Sequence, residues 1–309
     1  MLARMKQIEY RGRRAYRLEN DELRVTVFAE GGHIAEIFHK RTGVNPMWTP
    51  PWPTMEPSQY SQASHPEYGD DHESKLLAGI SGHNWCVDLF GAASDAEIAA
   101  GYTMHGEASI VAYDENLSAE LRLSQLRVKR KLDLDGAELR FEEEVENLLL
   151  FDRAIAWQQH VTLGPPFVER GVTRIDASIL RSARFDGEEF EWKDRVYPDL
   201  SSHADYHTHL LTDGRVSATN PRLGLKIEYD WNLQDFPWLG IWEQNHERMF
   251  PPWNGQTLTW GIEFGASPYP ELRFRRATRG LMWGAPTAAW LPALNTRKIA
   301  YRCRLSEAR

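Results

Sequence analysis

The stretch Val128–Leu148 reads VKRKLDLDGAELRFEEEVENL. Val128, Leu132 and Leu134 recur at even spacing, and so do Leu139, Phe141 and Val145 beyond Asp135-Gly136. A period of two buries one face of a strand, and Asp-Gly supplies the backbone freedom of a tight turn. The reading is a β-hairpin. The same alternation appears upstream at Leu23–Phe28, His33–Phe38, Ala108–Tyr113 and Ala119–Leu126. Downstream it returns at Arg153–Leu163, Leu223–Tyr229, Leu239–Glu243, Leu258–Phe264 and Lys298–Leu305. Asp213-Gly214 and Asn254-Gly255 read as further turns.

Helical patterning is scarce, with one short helix expected over Ser94–Ala100, capped by Ser94 or Asp95. Strands at short spacing without intervening helices make antiparallel sheets, so the expectation is an all-β sandwich or barrel. Two long irregular regions, 43–101 and about 176–209, interrupt the pattern, and such regions usually carry function. No repeat or low-complexity linker divides the chain, so residues 1–309 are expected to form a single domain.

Composition narrows the function. A net charge of −8 disfavours a nucleic-acid partner, which needs clustered Lys and Arg. The two cysteines, Cys86 and Cys303, have neither framework nor metal spacing and read as free thiols. MLARMKQIEYRGRRAYRLEN lacks the apolar core of a signal peptide, and no apolar run is long enough for a bilayer. A cytoplasmic protein without a membrane partner, monomeric or homodimeric, is expected. Trp48, Trp52 and Trp253 lie in Pro-rich loops. Such rings either stack on the C–H faces of a sugar or plug the end of a sandwich.

Four short segments carry candidate chemistry: Met104-His105-Gly106-Glu107, Trp157–Leu163 with His160, Gly240–Asn245 with Trp242 and Glu243, and Trp260–Gly265 with Glu263. His160 shares a strand face with Gln158 and Thr162. A strand histidine is more often a satisfied polar group than a catalyst. Glu263 is harder to set aside, because Gly261 and Gly265 on its face leave room for a ligand.

Taken in order, these segments resemble the aldose 1-epimerase (galactose mutarotase) superfamily. The likeness begins with Leu23–Phe28 and Gly31-Gly32-His33-Ile34, runs through Asn45-Pro46-Met47-Trp48 and Met104-His105-Gly106, and continues to His160 and Glu263. The resemblance implies a large antiparallel β-sandwich with a sugar site on the concave face of one sheet, and a reaction without cofactors. It implies Glu263 as general base on the anomeric hydroxyl, His160 as general acid at the ring oxygen, and His105 as a hydrogen-bond donor to the sugar. A carboxylate and an imidazole have ordinary pKa values of about 4.3 and about 6.5, so the one can accept a proton while the other still donates, which suits paired proton transfer.

The chain departs from the family where an Arg-Asn pair is expected, since 79–86 read GISGHNWC with no arginine. His83 and Asn84 are the candidates for that hydroxyl-binding role. Asp230 or Glu243 stand in for a sugar-contacting aspartate, and Glu107, Gln158 and Trp242 complete the expected substrate-binding set. Other readings are a non-catalytic sugar-binding protein, or a lyase or hydrolase pairing Glu107 or Glu243 with a histidine. The cluster His65–Glu73 is dense in possible metal ligands, but a polar loop over the sugar site is the preferred reading. His203, His207 and His209 are likewise read as structural.

Overall fold

The computed structural model describes residues 5–193 and 195–308. A single 16-stranded antiparallel sheet forms its frame. The expected hairpin is present as Leu126–Asp135 and Glu138–Asn147, joined by residues 136 and 137, with Gly136 at a φ of 58°. Alternation sends Val128, Leu132, Leu139, Phe141 and Val145 into the core.

The sheet curls until distant strands face one another. His83 of the strand His83–Asp88 meets Phe141 with ring centroids 5.5 Å apart, and the Arg130 guanidinium lies 4.6 Å over Trp85. These contacts close the sandwich around one continuous apolar core. Within it lies a buried polar network. Arg130 pairs with Glu143 at 2.9 Å, while Trp157, Gln159 and Tyr301 all donate to the same carboxylate. A buried charge so fully hydrogen-bonded is tolerated where a bare one would not be.

Several sequence expectations shift. Ala108–Tyr113 is not a full strand: Glu107–Ser109 is a turn of 3-10 helix packed beside His83–Asp88, and pairing is limited to one antiparallel bridge between Ala112 and Glu30. The second irregular region is shorter than expected. Arg174–Arg184 is a strand paired along one side with His203–Asn220, and its exposed, charged positions had masked the alternation. Asp213-Gly214 is no hairpin turn but the point where His203–Asn220 changes partner. Residues 203–210 pair with Trp238–Asn245, and residues 215–220 pair with Leu225–Trp231. The short helix is found at Asp95–Ala99, with Ser94 and Glu97 forming a reciprocal cap. Both cysteines are free and buried. No helix among the described residues is long and apolar enough to cross a membrane.

Candidate active site

Three adjacent strands build the floor of the site: Arg153–Leu163, Leu258–Gly265 and Trp238–Asn245. On the second, Trp260, Ile262 and Phe264 enter the core, which turns Gly261, Glu263 and Gly265 to the opposite face. Register then places Glu263 directly across from His160 and Gly261 across from Trp242. That face would ordinarily be wet. Here it is roofed by Trp48, Leu76, Leu77, Ile80, Ile110 and Trp253, a second apolar cluster drawn from the irregular region 43–101, from the end of the turn Glu107–Ser109 and from the loop after Asn245. The roof leaves a cleft of about 560 Å³ lined by His105, His160, Tyr206, Trp242, Trp253 and Glu263.

Inside the cleft, His160 Nε2 lies 3.0 Å from Glu263 Oε1, and His160 Nδ1 lies 3.0 Å from the Thr162 hydroxyl. Nε2–H donates to the carboxylate, while the hydroxyl, which can donate or accept, serves Nδ1 with or without a proton on it. The ring of Trp242 packs edge-on against His160 at 5.7 Å, and His105 does so from another side at 5.0 Å. His105 enters in a left-handed backbone conformation, φ 66°. Gly106 follows it at φ 82°, and a side chain there would collide with the Val87 carbonyl at 2.6 Å. The Gly91 N–H donates to His105 Nδ1 at 3.1 Å. Burial, reinforced by His160 nearby, pushes the His105 pKa well below its usual value. The ring is therefore neutral, its proton on Nε2, with no protein acceptor for that proton among the described residues.

The room expected above the two glycines is already occupied. A Cβ at Gly261 would lie 2.9 Å from Glu263 Oε1, and one at Gly265 would strike Gln158 Oε1. The glycines seat the carboxylate and the amide; the ligand space lies beyond them.

Of the ten residues expected at the site, His105, His160, Trp242 and Glu263 present side chains to the cleft. Glu243 reaches only its edge. One residue on from Trp242, it turns to the other face, where it binds His203 at 2.7 Å, and burial raises its pKa. Five expected substrate contacts lie elsewhere. His83 is sealed in the core, between Gln159 at 3.0 Å and Tyr229. Gln158 donates to the backbone carbonyl of Glu263 at 2.9 Å and is fully buried. Glu107 accepts from the Ser124 N–H at 2.6 Å and the Leu123 N–H at 3.1 Å. Asp230 is held by Arg302 at 2.6 Å, away from the cleft. Asn84 comes nearest. It pairs with His160 across the strands, on the same face, and its buried amide has no hydrogen-bond partner.

Tyr206 and Arg248 belong to the cleft but carry no motif in the sequence, and Glu73 joins them there. Arg248 pairs with Glu73 at 3.0 Å and lies 4.8 Å over the ring of Trp253. Glu73 is the last residue of the His65–Glu73 cluster, so part of that loop does border the cleft. Among the described residues no group of three or more His, Cys, Asp or Glu is arranged to hold a metal. His207 and His209 bind each other at 2.7 Å, and His209 also binds Ser182 at 2.8 Å, which occupies their facing nitrogens.

No protein-family model and no curated protein sequence matches the chain. Solved structures do. A Klebsiella pneumoniae protein named for a proposed aldose 1-epimerase role superposes with a TM-score of 0.71 at 14% identity, over 98% of this chain and 83% of that one. A galactose mutarotase-like protein from Clostridium acetobutylicum gives 0.66 at 13% identity, over 99% of both chains. The Slr1438 protein of Synechocystis gives 0.67 at 15% identity, over 98% and 100%. At such distances it is the fold that is shared, and this chain has the galactose mutarotase-like β-sandwich fold.

Proposed function

We propose that the protein catalyses the interconversion of sugar anomers, an aldose 1-epimerase-like reaction carried by Glu263 and His160 with His105 as a third polar contact. The observation that carries this reading is the 3.0 Å contact between the two side chains at the base of an aromatic-walled cleft. Ring opening requires a proton to leave the anomeric hydroxyl and another to reach the ring oxygen. Both oxygens are bonded to the same carbon, so a base and an acid standing side by side suit the task.

A sugar laid against the pair replaces their mutual hydrogen bond with two of its own. Glu263 takes the hydroxyl proton and the carbon–oxygen double bond forms. The bond from that carbon to the ring oxygen breaks, its electron pair goes to the ring oxygen, and His160, entering as the imidazolium with Nδ1–H on the Thr162 hydroxyl, gives it the Nε2 proton and becomes a neutral imidazole. Rotation about the carbonyl-bearing bond and the reverse steps close the other anomer. His105, neutral with Nε2–H free, donates to a neighbouring hydroxyl or the ring oxygen. Trp242 supplies a flat wall beside His160. The chemistry calls on no cofactor.

The test is anomer exchange followed by NMR or polarimetry over a panel of aldoses, with Glu263→Gln beside the wild type. Each proton transfer by a positioned group contributes on the order of 10²–10⁴ in rate, so a loss of at least ~10²-fold is expected in the variant. Equal rates in both proteins would remove the reading. Tight sugar binding without any exchange would instead favour a carbohydrate-binding role for the same cleft.

A further inference from the structure

We infer that the cleft takes the reducing end of a neutral oligosaccharide rather than a free or phosphorylated monosaccharide, an inference that rests on the anomer-exchange reading. Size is the first observation. A cleft of about 560 Å³ lies well inside the range that encloses drug-sized ligands, and a disaccharide approaches that size where a hexose does not.

The second is the mouth. Phe185 and Phe250 both line the cleft yet are 57% and 46% exposed, a costly state for two phenylalanines without a partner. Phe185 packs edge-on against Tyr206 at 6.0 Å and Tyr269 at 5.9 Å. Phe250 is tied by its carbonyl to the Asn254 N–H at 3.1 Å, in a loop anchored by buried Trp253. Two exposed rings lining the cleft beyond the His160–Glu263 pair, one of them held by Tyr206 and Tyr269, make stacking surfaces for a second sugar ring. The reacting ring sits deeper, against Trp242.

Charge supplies the third. Among the described residues lining the cleft, Arg248 is the one arginine or lysine, and Glu73 already neutralises it at 3.0 Å. Glu247 and Glu263 add negative charge, and His105 stays neutral. A phosphate or uronate would meet no free cation here, while a neutral glycan meets aromatic faces and hydrogen-bonding groups.

The test is calorimetric titration of the intact protein with glucose, galactose, glucose 6-phosphate and a set of reducing disaccharides of different linkage, in parallel with anomer exchange. At least one disaccharide should bind about tenfold or more tightly than its own reducing-end monosaccharide, since each stacking ring contributes a few-fold to about tenfold. Phe185→Ala/Phe250→Ala should cut affinity for that disaccharide far more than for the monosaccharide. Glucose 6-phosphate should bind more weakly than glucose. Equal affinity for mono- and disaccharides, or preference for the phosphate, overturns the extended site while leaving exchange on monosaccharides intact. No binding and no exchange with any sugar overturns both readings together.

Discussion

In the proposed reaction two side chains carry the chemistry, and each is placed by its neighbours. Glu263 owes its position to Gly261, which leaves space for Oε1, and to Gln158, which grips its backbone carbonyl. Gly261→Ala puts a methyl 2.9 Å from that oxygen and 3.1 Å from the Trp242 Cβ. Exchange should fall by about tenfold or more, as expected when a positioned base moves by a fraction of an ångström. Circular dichroism should show the fold retained, and an unchanged rate would show that Glu263 is not working from this position. Thr162 holds the His160 ring in place at Nδ1. Thr162→Val should lower kcat more than it raises KM, whereas a loss confined to KM would point to a packing role alone. His160 and Glu263 were legible in the sequence because strand alternation set them on a polar face among apolar neighbours. His83, Gln158 and Asp230 misled for the opposite reason. Their polarity serves the core, a backbone carbonyl and a surface ion pair, and alternation cannot distinguish a wet face from a roofed one.

At the scale of the element, the segment bearing His105 hangs on one carboxylate. Asp88 is fully buried at the end of its strand and is held by Arg153 and Arg273, and by Ser124 at 3.0 Å. Arg273 also binds Glu97 of the short helix at 2.7 Å, and Gly106 packs on the backbone of Val87 and Asp88. Asp88→Ala leaves two partly buried guanidinium groups without their shared partner. Removing one member of a buried pair costs about 3–5 kcal/mol, which chemical denaturation will read directly. Stability within about 1 kcal/mol of the wild type would show that the network is not needed. None of this could be read in advance. Asp88, Arg153 and Arg273 lie far apart in the chain, and no local pattern marks ion pairs that form only when strands and loops converge. The hairpin Leu126–Asn147 was legible because its burial pattern is local, whereas the edge strand Arg174–Arg184 was hidden by its exposed charges.

Over the whole molecule, burial of neutral histidines sets the response to acid. His33 and His207 are pushed down to about 4 by burial, and His83, His105 and His209 are lowered for the same leading reason. In the unfolded chain these rings titrate near 6.5. Between about 6.5 and 4 the unfolded state therefore binds protons that the fold refuses, so stability rises with pH across that window and is lost as pH falls through it. His33 and His207 alone represent on the order of 3 kcal/mol each by pH 4. The midpoint of urea unfolding should drop steeply between pH 6.5 and 4, and His207→Gln should flatten that slope. A slope unchanged in the variant would mean that His207 titrates normally in the folded protein. Strand spacing alone pointed to an antiparallel sandwich or barrel, and the family resemblance chose the sandwich. Its single curled sheet was not foreseen, because strand order depends on pairing between segments distant in sequence.

The side-by-side action of Glu263 and His160 on one anomeric carbon is tested most directly by a crystal structure of Glu263→Gln with a reducing sugar bound. The anomeric hydroxyl should lie within about 2.6–3.2 Å of the side chain at 263 and the ring oxygen within the same reach of His160 Nε2. A sugar held in the cleft with its anomeric carbon remote from both, or the two groups on opposite sides of the ring, would contradict it.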